Sequence, residues 1–333
     1  MFLKSLCLLL LFLTSFAASH PKQRFRWKDI KYVYLFGDSY SFVDGTYGFG
    51  TYRSETFEIN SGKNYMGWAT KLDFTPEQLL SNAILPNKTS SGGANWIEHL
   101  TGCYEGLPTH CHPQLWNFAH GGADISASIL PRRLITTVQI GDQVQQWLDY
   151  AADILPRPHG KTLTVWWVGI NDCADITRNA TITDVDAFID ADLEAYFGLV
   201  ETTARNKLHA HLFLNVPPID LSPFGKTFTT GPESLRKTIH KFNKKFAARA
   251  AKYAKDNPDQ VVLTFDAASV FEDVLSHPAK FGFKDTTQYV PNLVYQDAPD
   301  REGLFWNNDE HPSEPVHRIL AEAVEEYLRR VDL

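Results

Sequence analysis

Tyr32-Val33-Tyr34-Leu35-Phe36-Gly37-Asp38-Ser39-Tyr40 is the stretch on which the fold reading turns. Its first five residues form an unbroken apolar and aromatic run, the pattern of a strand buried on both faces of a sheet. A glycine and two polar residues then stop the run in turn chemistry. Strands covered on both faces belong to parallel sheets, and parallel neighbours need crossover connections, usually helices. Working outward, four further short runs fit the same role: Leu115-Trp116-Asn117-Phe118-Ala119, and residues 163–168, 212–216 and 261–265. Between and after them lie apolar stripes at helical spacing. These are Ile140, Val144, Trp147, Leu148 and Ala151; Ile189, Leu193, Tyr196, Phe197 and Val200; Leu235, Ile239, Phe242, Phe246 and Tyr253; and finally Leu320, Val324, Tyr327, Leu328 and Val331. Alternating strands and helices predict an α/β fold, a doubly wound, flavodoxin-like sandwich around a central five-stranded parallel sheet.

Residues 40–112 break that rhythm. They are rich in Gly, Ser, Asn and aromatics, with one short helix expected over 96–100, and read as a long insertion at the site mouth. No repeat, low-complexity tract or linker divides the chain, so residues 20–333 are expected to form a single domain. Residues 1–19 carry a basic start, an apolar run from Leu6 to Leu13 and small residues, the pattern of a secretory signal cleaved after Ala17 or Ser19. That run is too short to span a bilayer, and no later stretch is long enough, so a secreted, extracellular protein without a membrane span is expected, acting as a monomer. The net charge of −7 among 333 residues argues against nucleic-acid binding, which needs clustered Lys and Arg. Cys7 leaves with the signal. Cys103 and Cys111 lie in one loop-like stretch and are expected to form a disulfide, leaving Cys173 buried and unpaired. Asn87-Lys88-Thr89 and Asn179-Ala180-Thr181 are glycosylation sequons.

Ligands of open α/β sheets sit outside the carboxyl ends of the strands. Ser39 follows the first run on a tight turn. Asn117-Phe118-Ala119-His120-Gly121-Gly122-Ala123 follows the second, and a glycine there can offer its N–H to an oxyanion. Gly169-Ile170-Asn171-Asp172 follows the third, and Asn171 supplies an amide donor. Trp306-Asn307-Asn308-Asp309-Glu310-His311-Pro312-Ser313 precedes the last helix, and His311 can serve as a general base. A metal site from Cys103, His110, Cys111, His112 and His120 is disfavoured, since three of them are consecutive and lack zinc-ligand spacing. Asp38 and Asp172 read as turn or helix caps. His317 reads as a helix-surface residue or a second candidate base. Trp166 and Trp167 read as core, and His120 and Trp306 as candidate substrate contacts.

These four ordered segments resemble the four blocks of the SGNH (GDSL) hydrolase superfamily over essentially the whole mature chain. Asn215-Val216-Pro217-Pro218 and the stretch from Phe265-Asp266 to Phe283 match as well. The resemblance implies an SGNH sandwich and a carboxylic ester hydrolase. In it Ser39 is the nucleophile and His311 the base, and the Ser39 and Gly122 N–H groups and the Asn171 amide form an oxyanion hole, with Gly121 the alternative to Gly122. No metal or organic cofactor is required. One position departs from the family's Asp-x-x-His block: Asn308 stands three before His311 and Asp309 only two before. The orienting third member is therefore Asp309, displaced by one, or Asn308, or a main-chain carbonyl. The leader, the aromatic insertion and the acidic charge resemble secreted fungal acetylesterases of carbohydrate esterase family sixteen. That implies a small-molecule or oligosaccharide acetyl ester as substrate. The alternatives are a lipase or broad carboxylesterase, and, in another class, a non-catalytic carbohydrate-binding protein on the same scaffold.

Overall fold

A computed structural model describes residues 25–43, 76–81, 83–134, 137–289 and 302–331. The expected signal at 1–19, and residues 44–75 of the expected insertion, lie outside the described residues. In chain order the elements are β1 (Tyr32–Gly37), α1 (Pro76–Ser81), α2 (Trp96–Thr101), β2 (Gln114–Asn117), α3 (Ile140–Gln146, running into a π-turn over Trp147–Ala151), β3 (Thr162–Trp167), α4 (Ile170–Arg178), α5 (Val185–Arg205), β4 (Ala210–Leu214), α6 (Pro232–Asp256), β5 (Val261–Phe265), α7 (Ala267–Ser276) and α8 (Glu314–Arg330). The five strands pair in parallel in the order β2-β1-β3-β4-β5, the doubly wound arrangement expected.

Register explains why the sheet reads as continuous apolar runs. Phe36 pairs with Trp166, and Trp166 with Phe213, so one face carries a row of rings: Phe36 stacks on Trp166 at 4.7 Å and Phe118 stacks on Phe36 at 5.3 Å. Tyr196 of α5 and Phe246 of α6 close over that row. The next residue, Trp167, points to the opposite face, because successive side chains of a strand alternate. There it meets Trp96 of α2 and Phe271 of α7 edge-on. Tyr327 of α8 covers Phe265 on β5. Both tryptophans are fully buried, as core residues.

Three helices were not legible beforehand, α1 among them, in a stretch where only the helix near 96–100 was expected. α4 begins inside the Gly169-Ile170-Asn171-Asp172 segment, and α7 is N-capped by Asp266, whose Oδ1 accepts from Ser269 N at 3.1 Å. β2 ends earlier than its apolar run, at Asn117. There the side chain folds back to accept from Ala119 N (2.9 Å) and to donate to Ser41 O (2.7 Å), competing locally with the ladder. Cys103 and Cys111 are disulfide-bonded, and Cys173 is free and buried. Asn87 and Asn179 are both exposed. Among the described residues no helix is long and apolar enough to cross a membrane.

Candidate active site

The strand order reverses between β1 and β3, and the crevice beyond their carboxyl ends is where such sheets bind ligands. The backbone must come close here: a Cβ on Gly37 would lie 2.9 Å from Trp167 O. Gln143 of α3 grips the same glycine, its Oε1 accepting from Gly37 N (3.0 Å) and its Nε2 donating to Gly37 O (2.8 Å). Asp38 then shapes the turn that presents Ser39. Its Oδ1 accepts from Tyr40 N (2.9 Å), and its carbonyl accepts from Ser41 N and Phe42 N. Asp38 is fully buried, and burial pushes its carboxyl up to about 7.

Ser39 Oγ donates to His311 Nε2 at 2.7 Å. On the far side of the ring, His311 Nδ1 donates to Asn308 Oδ1 at 2.9 Å. The same Oδ1 accepts from Glu310 N (2.9 Å) and His311 N (2.8 Å). Asp309, the first-named acid, does not reach the ring: it is exposed, and it is its main-chain carbonyl that accepts from Phe224 N at 2.8 Å. The turn over 307–311 folds position 308 back beneath the imidazole and turns 309 outward. Burial, and then the positive charge of Arg133, push His311 down to about 4. The ring is therefore neutral near pH 7, with Nε2 available to take a proton.

From the other strand ends, Asn171 and Gly121 approach the same serine. Gly169 opens α4 with φ +112, and a Cβ there would fall 2.6 Å from Phe242 Cε1. Asn171, in the first turn of α4, donates Nδ2 to Ala123 O at 3.0 Å and lines the Ser39 cleft together with Arg133, Ile170, Phe224 and His311. Gly121 lies against the serine: a Cβ there would sit 3.9 Å from Ser39 Cβ. Gly122 has φ +77, a left-handed conformation that favours glycine. Among the described residues, the N–H groups of Ser39, Gly121 and Gly122 donate to no protein acceptor. A nucleophile, a neutral imidazole and several unpaired donors at one edge can attack a carbonyl and hold the oxyanion that forms.

Asp172 is not the cap of α4, whose N-cap is Gly169 with no side-chain bond. It is fully buried, and its Oδ1 accepts from Ile125 N at 2.8 Å, tying the glycine loop to α4. Burial, and then the neighbouring Asp192, hold its carboxyl far above the usual range. Asp124 beside it is pushed up to about 9 by burial and then by the charge of Asp172, and it accepts from Gln139 Nε2 at 3.2 Å. Gln139, Gln143 and Asp192 carry no motif, and only their position in the fold reveals them.

Three sequence expectations change. His317 is not on the helix surface: it is 1% exposed, and its Nδ1 accepts from Trp96 N at 3.3 Å at the start of α2. Trp306 is buried, donates Nε1 to Thr286 O at 2.8 Å, packs on Phe305 and is not among the described residues that line the cleft beside Ser39. His120 is buried behind the glycine loop, with Nδ1 2.9 Å from Gly121 O and its ring against Phe42. Among the described residues no three His, Cys, Asp or Glu side chains converge as metal ligands.

Residues 33–324 match the model of the GDSL-like Lipase/Acylhydrolase family. A protein named acetylesterase from Thermothelomyces thermophilus is 28% identical over 304 residues, covering 88% of this chain and 87% of its own. Among solved structures, Axe2, an acetylxylan esterase from Geobacillus stearothermophilus, is similar at 14% identity and a TM-score of 0.43, covering 90% of this chain and 94% of its own. LAE5, an α/β hydrolase enzyme from the metagenome of Lake Arreo, Spain, is similar at 13% identity and a TM-score of 0.42, with the same coverage.

Proposed function

The chain belongs to the GDSL-like lipase/acylhydrolase family of ester hydrolases, and from there we propose that it is a secreted acetylesterase that removes acetyl groups from carbohydrates by acyl transfer through Ser39 and His311. The observation that carries this reading is the 2.7 Å Ser39 Oγ–His311 Nε2 contact in a cleft that Asn171 also lines. His311 takes the hydroxyl proton as Ser39 Oγ attacks the ester carbonyl. The carbonyl oxygen becomes an oxyanion, accepting from the Ser39 and Gly122 N–H groups and the Asn171 amide. His311 then protonates the departing alcohol, and water, activated by the same imidazole, hydrolyses the acyl-serine.

Preference for acetyl is supported by the name of the Thermothelomyces relative. Secretion is supported by the leader pattern of residues 1–19, the Cys103–Cys111 disulfide and the exposure of both sequons.

The test is a chain-length series: kcat/KM on 4-nitrophenyl acetate, butyrate and palmitate, then acetate release from acetylated xylooligosaccharides. Acetate should be hydrolysed fastest. A palmitate preference would make the protein a lipase instead, and Ser39→Ala with undiminished activity would remove the mechanism.

A further inference from the structure

We propose that Asn308 is the positioning residue of His311, held oxygen-first by two main-chain N–H groups so that the imidazole keeps its working tautomer with no carboxylate beside it. This deepens, and rests on, the Ser39–His311 reading.

A primary amide presents two different edges. Its oxygen facing Nδ1 requires Nδ1 to carry the proton, which leaves Nε2 free to accept from Ser39. Its NH₂ facing Nδ1 would place the proton on Nε2, where it blocks proton abstraction. That wrong tautomer is what an Asp-to-Asn change imposes on a serine-protease triad, at a cost of about 10⁴ in rate. Here the ambiguity is removed locally. Glu310 N and His311 N both donate to the edge of Asn308 that faces the ring, at 2.9 and 2.8 Å. Main-chain N–H groups cannot accept, so that edge must be the oxygen. A flip would set the NH₂ against both main-chain donors. The turn that carries these N–H groups is itself clamped: Tyr40 Oη donates to Glu310 O (2.6 Å), Asn307 N to His311 O (2.8 Å) and Phe224 N to Asp309 O (2.8 Å).

The consequence is a base that stays neutral into acid. A carboxylate at position 308 would favour imidazolium, and an amide does not. From the other elements, Arg133 faces the ring across the cleft and disfavours imidazolium. Glu310 lies 4.0 Å from Arg133 and is compensated by it. On the β1 side the Tyr40 ring lies 5.5 Å from His311, with buried Asp38 behind it and His317 of α8 on its far side. Arg133 in turn is held by Asp175 of α4, which Arg178 shares.

The experiment is kcat/KM for 4-nitrophenyl acetate from pH 3 to 8 for wild type, Asn308→Asp and Asn308→Leu. Imidazole ¹⁵N shifts are recorded on the same proteins, and melting temperatures confirm folding. In wild type the acidic limb should lie well below the ordinary histidine range, with Nδ1 protonated above it. Asn308→Asp should move that limb up by about one to three pH units. Asn308→Leu, close in volume but without the oxygen, should lose about 10³–10⁴-fold while folded, with the tautomer preference gone. An unmoved limb in Asn308→Asp, or folded Asn308→Leu within about threefold of wild type, overturns the proposal. Neither result touches the nucleophile, which Ser39→Ala tests separately.

Discussion

Gly169→Ala puts the largest strain on the smallest change. The added methyl would lie 2.6 Å from Phe242 Cε1, 2.8 Å from Phe242 Cζ and 2.8 Å from Val216 Cγ2. Neither neighbour can yield easily, since Phe242 is 1% and Val216 0% exposed. The backbone at φ +112 is also outside the range that L-residues adopt. Leaving a left-handed conformation to a Cβ costs about 1–2 kcal/mol, and overpacking a tight core costs about 1–3 kcal/mol. The sum, about 2–5 kcal/mol, corresponds to a fall in melting temperature on the order of 3–8 °C for a protein of this size. The strain also reaches the site. Gly169 is the N-cap of α4, so relief of the clash is expected to shift the first turn that carries Asn171. A displacement near 1 Å at such a donor can cost about 10²-fold. Thermal unfolding by circular dichroism and kcat/KM on 4-nitrophenyl acetate read the two effects. A melting temperature within about 1 °C of wild type, with unchanged kcat/KM, would refute the reasoning: the β3–α4 junction would then be free to relax.

Asn171→Ala should lower kcat by about 10²–10³-fold with KM little changed, because the amide is called on when the oxyanion forms; steady-state kinetics decide, and a pure KM effect would move Asn171 to ground-state binding. Asp124→Asn should remove a pH-dependent liability. Burial raises the folded carboxyl to about 9, so the stability associated with its neutral form is complete below the unfolded value near 4 and is lost as pH rises toward 9. An amide cannot ionise, so the variant's melting temperature should fall less between pH 5 and 9 than that of wild type; parallel curves would show that Asp124 does not titrate in this way.

Much of the architecture was legible because parallel sheets write a local signature. A strand covered on both faces must be apolar throughout, so residues 32–36 and 163–168 announced themselves, and adjacent Trp166 and Trp167 made sense only as rings on opposite faces of one strand. That Ser39, Asn171 and His311 come to one cleft was legible because the switch point of such a sheet gathers whatever follows its strands, and each of the three follows a strand or precedes the last helix. α4 was hidden because its first turn coincides with a motif read for its chemistry, and α7 because nothing beyond its Asp266 cap marked it.

The sequence alone determined the strand set, the reversal of direction that opens the crevice and the order in which polar residues arrive there, since these depend on periodicity and chain order. It left Asp309 and Asn308 undecided. Neighbours in a tight turn differ only in which way their side chains point, and that is settled by contacts distant in the chain: Tyr40 holding Glu310 O, Phe224 holding Asp309 O. The same holds for Gln143, which grips Gly37 from 106 positions away, and for His317 and Trp306, whose burial is decided by what packs over them. Local composition can name a residue's possible chemistry. Only the tertiary structure decides which atoms face each other at 2.7–2.9 Å, because hydrogen bonding requires direction as well as proximity.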